Sequence, residues 1–307
     1  MQVDKMVESA GIGSLPNEIL ISILSTFRTL ELLPITLVSQ RFHSLIVRIL
    51  HHRLLETAQL KDHKLILECF HPSTKLSTPY LFCDFIGTHP LDSSSAEKQI
   101  QDDDNAVGKL GKLKSLYSHF LPLKPDSDRK LVRSHPAGGS FSVPNGLVDQ
   151  HDQFVCQNIH LESHELFSQL QTITSLVKVG PKRGLFLSSV NIGDSILRIW
   201  REWLAERARA ELQGNNGESS AETARQRGER LRWADNSETV GLRLRVVERE
   251  EDTPVLVRKD EDPAVSYSLQ YEELVINTTQ LLLLVEQSID QEVQNSGKAV
   301  VIGSWDR

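Results

Sequence analysis

The sequence predicts an α+β protein: an N-terminal unit of three helices, then an α+β domain interrupted by polar insertions. Three observations carry this. Between Leu15 and Arg53, apolar residues recur at helical spacing in successive runs punctuated by Pro16 and Pro34. Beyond residue 63, short apolar or alternating runs such as Leu65–Leu67, Tyr80–Cys83, Leu185–Val190 and Leu242–Val246 are bounded by Pro, Gly and Ser. Residues 91–108, 122–153 and 211–230 are polar and aperiodic, and read as mobile or disordered insertions. A length of 307 residues fits about two domains, here 12–58 and 63–307.

The first helix is expected to be capped by Ser14, with Pro16 in the first turn, where its missing N–H costs nothing. Glu18 then lies near the positive helix end. Ile19, Leu20, Ile23, Leu24 and Phe27 make one stripe. Leu30, Leu32 and Leu33 lead into Pro34, which should open the second helix, since inside a helix it removes a hydrogen bond and clashes with the turn before it. Ile35, Leu37 and Val38 carry that helix. Phe42, Leu45, Ile46 and Ile49 stripe the third, whose outer face holds Gln40, Arg41, His43, Ser44 and Arg48. A core of Leu24, Leu37, Leu45 and Ile49 suits so thin a bundle. Leu15, Pro16, Ile19 and Val38 are then surplus, and a surplus of apolar side chains on a small unit marks a docking surface.

These residues resemble the F-box family: Leu15-Pro16, Glu18-Ile19-Leu20, Ile23-Leu24, a leucine-rich middle, then Val38-Ser39 and Phe42 followed by Leu45. The resemblance covers about one sixth of the chain. It implies a three-helix module that binds a Skp1-like adaptor and through it a cullin-RING ubiquitin ligase. Carried over position by position, the adaptor-facing residues are Leu15, Pro16, Ile19, Leu20, Ile23, Val38 and Phe42. Phe42 stands where many members carry tryptophan, and Pro34 shortens the second helix. The layout of the remainder also resembles F-box proteins common in fungi.

Residues 54–62 read as a helical exit. Leu110, Leu113, Leu116, Tyr117 and Phe120 suit a short amphipathic helix, and Phe154 to Leu161 a strand. His164 to Val179, with Leu166, Phe167, Leu170, Ile173 and Val177, reads as a helix; Gly180 to Gly184 is a turn. Asp194 is expected to cap a helix bearing Ile196, Ile199, Trp200, Trp203 and Leu204. Leu242, Leu244 and Val246 alternate with Arg243 and Arg245, a strand with one polar face. Pro254–Val257 and Val265–Tyr271 read as strands. A last helix starts at Thr278 or Thr279 and runs to about Gln291, with a strand from Leu274 as the rival reading, and Ala299–Ile302 form a final short strand. There is no internal repeat.

The net charge of −7 argues against a nucleic-acid surface. Three cysteines, Cys69, Cys83 and Cys156, are too few for a secreted framework. The opening residues MQVDKMVESAGIG lack the apolar run of a signal peptide, and the longest apolar run, Leu281–Val285, is too short to span a membrane. A soluble chain of the cytoplasm, the nucleus or both is expected, without membrane or nucleic-acid partners.

Residues that could suggest catalysis or metal binding have stronger structural readings. Cys69, His71, Cys83 and His89 fit no zinc spacing, so core thiols and surface histidines are the stronger reading. His51-His52 favour a negative helix end. There is no G-x-S-x-G elbow, and Cys156 reads as a small hydrophobe. Glu162, His164 and Glu165 read as helix-terminal acids with a surface histidine. Gly180–Gly184 lacks the Walker and dinucleotide spacings. Arg198, Arg201, Arg207 and Arg209 alternate with Glu202 and Glu206 as a salt-bridged helix face. Asp102–Asp104 and Glu248–Asp252 are solvated charge runs. Asn277-Thr278-Thr279 is a sequon that an intracellular chain does not expose to glycosylation. Trp200 and Trp203 share a stripe and read as core; Trp233 and Trp305 complete the set that could line a cleft.

The expected function is therefore the substrate receptor of an SCF-type ubiquitin ligase, not itself an enzyme and without cofactor: the F-box holds the adaptor and the C-terminal domain an unknown protein substrate. The alternative is a C-terminal domain that binds a small ligand or catalyses, with the F-box regulating its abundance. A third reading is an adaptor-bound scaffold outside any cullin complex.

Overall fold

The computed structural model describes residues 11–74, 78, 80–91, 106–124, 154–180, 185–213, 220–249, 264–294 and 300–301. The expected α+β class holds: a helical N-terminal unit precedes a ten-stranded antiparallel sheet with helices. The insertions at 92–105 and 125–153, the strand expected at Pro254–Val257, and Trp305 lie outside the described residues.

Helix α1 (Asn17–Leu24) follows a 3-10 turn at Ile12–Ser14. Pro16 itself is the N-cap, in an extended conformation, whereas the Ser14 hydroxyl donates back to the Gly11 carbonyl at 2.7 Å. Helix α2 (Thr29–Ile35) ends near Pro34 and does not begin there, contrary to the sequence reading. Its first turn is set upstream, where Glu31 accepts the Arg28 N–H at 2.8 Å. Pro34 thus falls in the last turn, inside the helix, where its missing N–H removes one bond to the preceding turn. Helix α3 (Gln40–Ala58) starts at Ser39, whose Oγ accepts the Phe42 N–H at 3.2 Å. Leu20, Leu24, Leu32, Leu45, Ile46, Ile49 and Leu50 form the core between these helices.

The sheet is built from β1 (His63–Phe70), β2 (Leu81–Pro90), β3 (Leu116–Pro122), β4 (Val155–Leu161), β5 (Phe167–Val179), β6 (Leu185–Trp200), β7 (Leu231–Trp233), β8 (Val240–Arg249), β9 (Val265–Asn277) and β10 (Val300–Val301). Their order is β10-β6-β5-β1-β2-β3-β9-β8-β7. Strands β3 and β4 share one edge of β9: β3 pairs with Leu274–Asn277, and β4 with Val265–Tyr271. The sheet curls so that β6, near one end of the order, meets β8, near the other; a Cβ on Gly193 would lie 3.4 Å from Val240 Cγ2. The enclosed core takes Leu65 and Leu67 from β1, Leu170 and Leu176 from β5, Leu242 and Leu244 from β8, and Leu269 and Tyr271 from β9.

Several sequence expectations change here. His164–Val179 is not a helix. Its inward positions on β5 are Ser168, Leu170, Thr172, Thr174 and Leu176, all buried, so polar residues interrupt the apolar alternation that would have signalled a strand. Strand β6 continues through Asp194 to Trp200, and helix α5 (Arg201–Gln213) starts only afterwards; Trp203 is buried in the core and Trp200 is exposed. Helix α4 (Ala106–Lys114) is followed by a strand, so Leu116, Tyr117 and Phe120 belong to β3. Within 211–230, residues Ser220–Glu229 form helix α6, so this part of the insertion is ordered. The final helix, α7 (Thr278–Gln294), is capped by neither threonine: Asn277 Oδ1 accepts the N–H groups of Thr279 and Gln280.

Helix α7 joins the two parts of the chain. Leu281 and Leu284 enter the sheet core, while Leu282 packs with Leu54 of α3 and Leu116 of β3. Arg28 forms a bidentate pair with Asp290, both contacts at 2.6 Å. Glu286 accepts the Thr29 N–H at 3.2 Å and its hydroxyl at 2.7 Å, and lies 3.5 Å from Arg53. Leu110 and Leu113 of α4 pack against the core of the three-helix unit. Replacing Glu286 with Ala should therefore leave the Thr29 donors unpaired and destabilise the chain by about 1–3 kcal/mol. A fall in the urea midpoint with unchanged m value is the expected readout.

Candidate functional site

The sequence-predicted site residues lie just before α1, on α1, at the start of α3 and in the segment between α2 and α3. Arg41 draws them together: Nε donates to Asn17 Oδ1 at 2.8 Å and a terminal nitrogen to the Leu15 carbonyl, tying the entry into α1 to the first turn of α3. At the other end of α1, Arg53 donates to the carbonyls of Ser25 at 2.8 Å and Phe27 at 2.7 Å. The side chain thus satisfies acceptors that a helix end leaves open.

Seven residues were expected to face a partner, and the structure divides them. Pro16, Ile19, Ile23 and Val38 are exposed, Val38 at 68%. Leu15 and Phe42 are half-buried and pack against the helical core from its rim. Leu20 is fully buried and is therefore not on the surface: one position beyond Ile19 it turns into the core beside Leu24 and Leu45. Leu37 moves the other way. Expected in the core, it is 87% exposed, because α2 ends at Ile35 and the following turn carries Leu37 and Val38 outward together. Leu30 and Leu33 on α2 are also exposed and were not among the predicted residues. Knowing the true start of α2 would have revealed all three, since that start sets which α2 side chains face inward.

These residues form an apolar surface with no titratable group among them. It can exclude water against a partner, and it has no chemistry for acid–base or nucleophilic catalysis.

A dense polar cluster of the second part lies elsewhere, on the outer face of the sheet under α6. Arg243 on β8 and Glu273 on β9 are register partners, both almost fully buried and hydrogen-bonded to each other. The polar face predicted for β8 is thus covered by protein at Arg243. Arg227 of α6 also pairs with Glu273, and its carbonyl accepts from Arg243 Nε at 3.2 Å. His119 Nδ1 lies 3.0 Å from Glu273 Oε2, and the His119 ring stacks on His89 at 3.8 Å with planes 3° apart. A register shift leaves Glu272 as the extra residue between Tyr271 and Glu273, and Glu272 accepts from Arg230 at 3.1 Å. Burial opposes the charge on Glu273, but the His119 hydrogen bond and the Arg243 and Arg227 cations outweigh it and hold the carboxyl at about 2. Burial, then the neighbouring His119 and Arg227, push His89 down to about 4.

Other candidates resolve simply. Cys69 and Cys83 are buried, and burial raises both thiols; Cys156 is exposed, not a core hydrophobe. Glu162 and Glu165 close a turn between two strands and cap no helix. Arg207 pairs with Glu229 of α6, and Arg201 donates to the carbonyls of Glu162, Ser163 and Glu165, so these arginines hold other elements in place instead of forming a solvated ladder on one helix. Among the described residues no group of three potential metal ligands converges, and no helix is long and apolar enough to cross a membrane.

Residues 12–57 match the family model described as F-box-like. The N-terminal unit is an F-box-like domain, and domains of this kind generally bind Skp1-like adaptors. No curated protein and no solved structure matches the chain.

The outer-face cluster makes a pH prediction. His89 binds a proton near 6.5 when unfolded and near 4 when folded. The unfolded chain takes that proton first, so this stability is complete above the upper value and is lost as pH falls toward the lower one. His89→Gln should flatten this limb, narrowing the stability difference between pH 7 and pH 4.5 by roughly 1–2 kcal/mol after allowance for partial exposure. Urea midpoints at the two pH values check it.

Proposed function

We propose that this chain is a substrate receptor of an SCF-type ubiquitin ligase, docking a Skp1-like adaptor on its F-box-like domain and presenting a protein substrate on its sheet domain. The observation that carries the reading is the set Ile19, Ile23, Leu37 and Val38, which stays exposed on an F-box-like domain although α7 and α4 already pack against that domain. Each such aliphatic side chain contributes about 1.5–3 kcal/mol when fully covered. Four of them can support firm association after the loss of translational and rotational freedom. Catalysis belongs to partner subunits recruited through the adaptor and a cullin. The chain's part is to raise the local concentration of target lysines near the ubiquitin carrier.

The test uses purified Skp1 and the full chain. Leu37→Asp combined with Val38→Asp should weaken adaptor capture at least about a hundredfold, since two charges would lose their hydration at the interface. Leu15→Ala with Pro16→Ala should weaken it less, because Leu15 is half-buried within its own chain. Far-UV circular dichroism should stay unchanged in both. Adaptor capture at wild-type strength by the double aspartate variant would refute this docking face.

A further inference from the structure

We propose that a polar cavity at one end of the curled sheet binds a primary ammonium group, carried either by a small amine or by a lysine side chain of a partner. This goes beyond the receptor reading and does not depend on it.

The cavity, of about 90 Å³, lies where β6 meets β8 and is bordered by the turn between β7 and β8. Its floor includes Thr174 of β5, which is fully buried and whose Oγ1 has no hydrogen-bond partner among the described residues. Neighbouring Thr172 is engaged, with its hydroxyl 3.7 Å from the Cys69 thiol. A buried hydroxyl left unpaired is costly, so one that lines a cavity marks a place for a ligand. The register shift between β5 and β6 leaves Ile192 as an extra residue opposite Thr174 and Ser175. Ile192 and Gly193 therefore both border the cavity, although successive strand residues ordinarily face opposite ways. Ser195, Asp235 and Thr239 are half-buried and Gln280 is exposed, so the cavity opens on their side.

The lining selects the charge of the ligand. It holds one carboxylate, Asp235, and no Lys, Arg or His. Asp235 Oδ1 accepts the N–H groups of Thr239 at 3.0 Å and Val240 at 3.2 Å, so the turn fixes the carboxylate through one of its two oxygens. The hydroxyls of Thr174, Ser195 and Thr239 and the side-chain amide of Gln280 add neutral oxygen acceptors. Helix α7 reaches the cavity at Gln280, whose N–H is already taken by Asn277 Oδ1 and is not offered to an anion. Oxygen acceptors around a single negative charge suit a compact cation rich in donors, and an ammonium presents three N–H groups. One water could answer Thr174 alone. At about 30 Å³ for each water in the liquid, however, a cavity of 90 Å³ takes roughly three non-hydrogen atoms. An ammonium nitrogen with two methylene carbons is that size, and Ile192 and Val240 give the carbons an apolar wall.

The probe is ethylammonium chloride, titrated into the isotope-labelled full chain, with tetramethylammonium chloride at equal ionic strength and ethanol as comparisons. The amide resonances of Gly193 and Ala234 report on the cavity. Ethylammonium should shift them saturably, with a Kd of about 1 mM or weaker for so small a ligand. Tetramethylammonium, which has no N–H, should leave them in place, and ethanol, which has no charge, should bind at least about tenfold more weakly. Thr174→Val keeps the shape of the side chain and removes the hydroxyl; it should weaken ethylammonium binding about tenfold. Its melting temperature without ligand should equal or exceed that of the wild type, because an unpaired buried hydroxyl is gone. Asp235→Asn keeps the Oδ1 acceptor that the turn needs and removes the charge; it should weaken binding at least as much.

Nα-acetyl-lysine methylamide distinguishes the two sources. Competition with ethylammonium at similar or higher affinity assigns the site to a partner's lysine, and its exclusion while ethylammonium binds assigns the site to a free amine; both outcomes support an ammonium site. Absence of a saturable shift, equal shifts with tetramethylammonium or ethanol, or full affinity in both variants would each overturn the inference and leave the cavity to water.

Discussion

Everything in this molecule turns on the thinness of its first unit. Helices of 8, 7 and 19 residues cannot enclose all the aliphatic side chains they carry. The seven buried core residues between them saturate the interior, and Ile19, Ile23, Leu30, Leu37 and Val38 are left on the surface. One flank of the unit is closed by the chain itself, through Leu110, Leu113, Leu282 and the acids of α7. On the other flank, no described residue outside the unit packs over Ile19, Ile23, Leu37 or Val38 closely enough to bury them. That asymmetry, more than any one residue, gives the unit a direction: inward toward the sheet, outward toward a partner.

The first unit was largely legible because its signal is local. Spacing on α1 and α3 and the apolar surplus are both set within one or two turns of chain. Besides the Ser14 cap and the start of α2, two residues were misplaced there: Leu20, because one step along a helix turns the side chain by about a quarter circle, enough to exchange core for solvent, and Leu37, because α2 ends before it. The sheet domain was less legible for a physical reason that β5 shows well. Its inner row holds Ser168, Thr172 and Thr174 beside Leu170 and Leu176, and the Cys69 thiol lies 3.7 Å from the Thr172 hydroxyl. Polar groups turned to the inner side of a sheet erase the alternation on which strand recognition depends. On β8 the opposite happened: Arg243 looked solvent-facing, but α6 and Glu273 cover it. Long-range pairing decides such positions, and residues thirty apart in sequence give no local sign of it.

The Arg243–Glu273–Arg227 set also explains why α6 is ordered within a stretch of polar composition. Its mean hydropathy is low, and in isolation a helix of 10 residues is marginal in water. Arg227 contributes a carbonyl to Arg243 and a guanidinium to Glu273, and Glu229 pairs with Arg207 of α5. The helix is held by charge-assisted hydrogen bonds that its neighbours need as much as it does. Removing it would leave Arg243 and Glu273 with fewer partners in a poorly hydrated place, where an unpaired ion is costly.

Helix α7 draws these parts into one mechanical body. Its Leu281 and Leu284 are committed to the sheet core; Leu282, Glu286 and Asp290 are committed to the three-helix unit. Its Ser288 is buried in a hydrogen-bonded chain with His63 of β1 and Ser188 of β6, so the helix can neither slide nor roll without breaking contacts at both ends. A flexible tether would let a captured protein sample many orientations, and most of them would hold its lysines away from the transfer site. A helix shared by both cores removes that freedom before any partner binds, and the entropy of fixing the geometry is then met during folding instead of during capture. For a chain whose proposed contribution is proximity alone, such prior fixing is the form that a contribution to rate has to take.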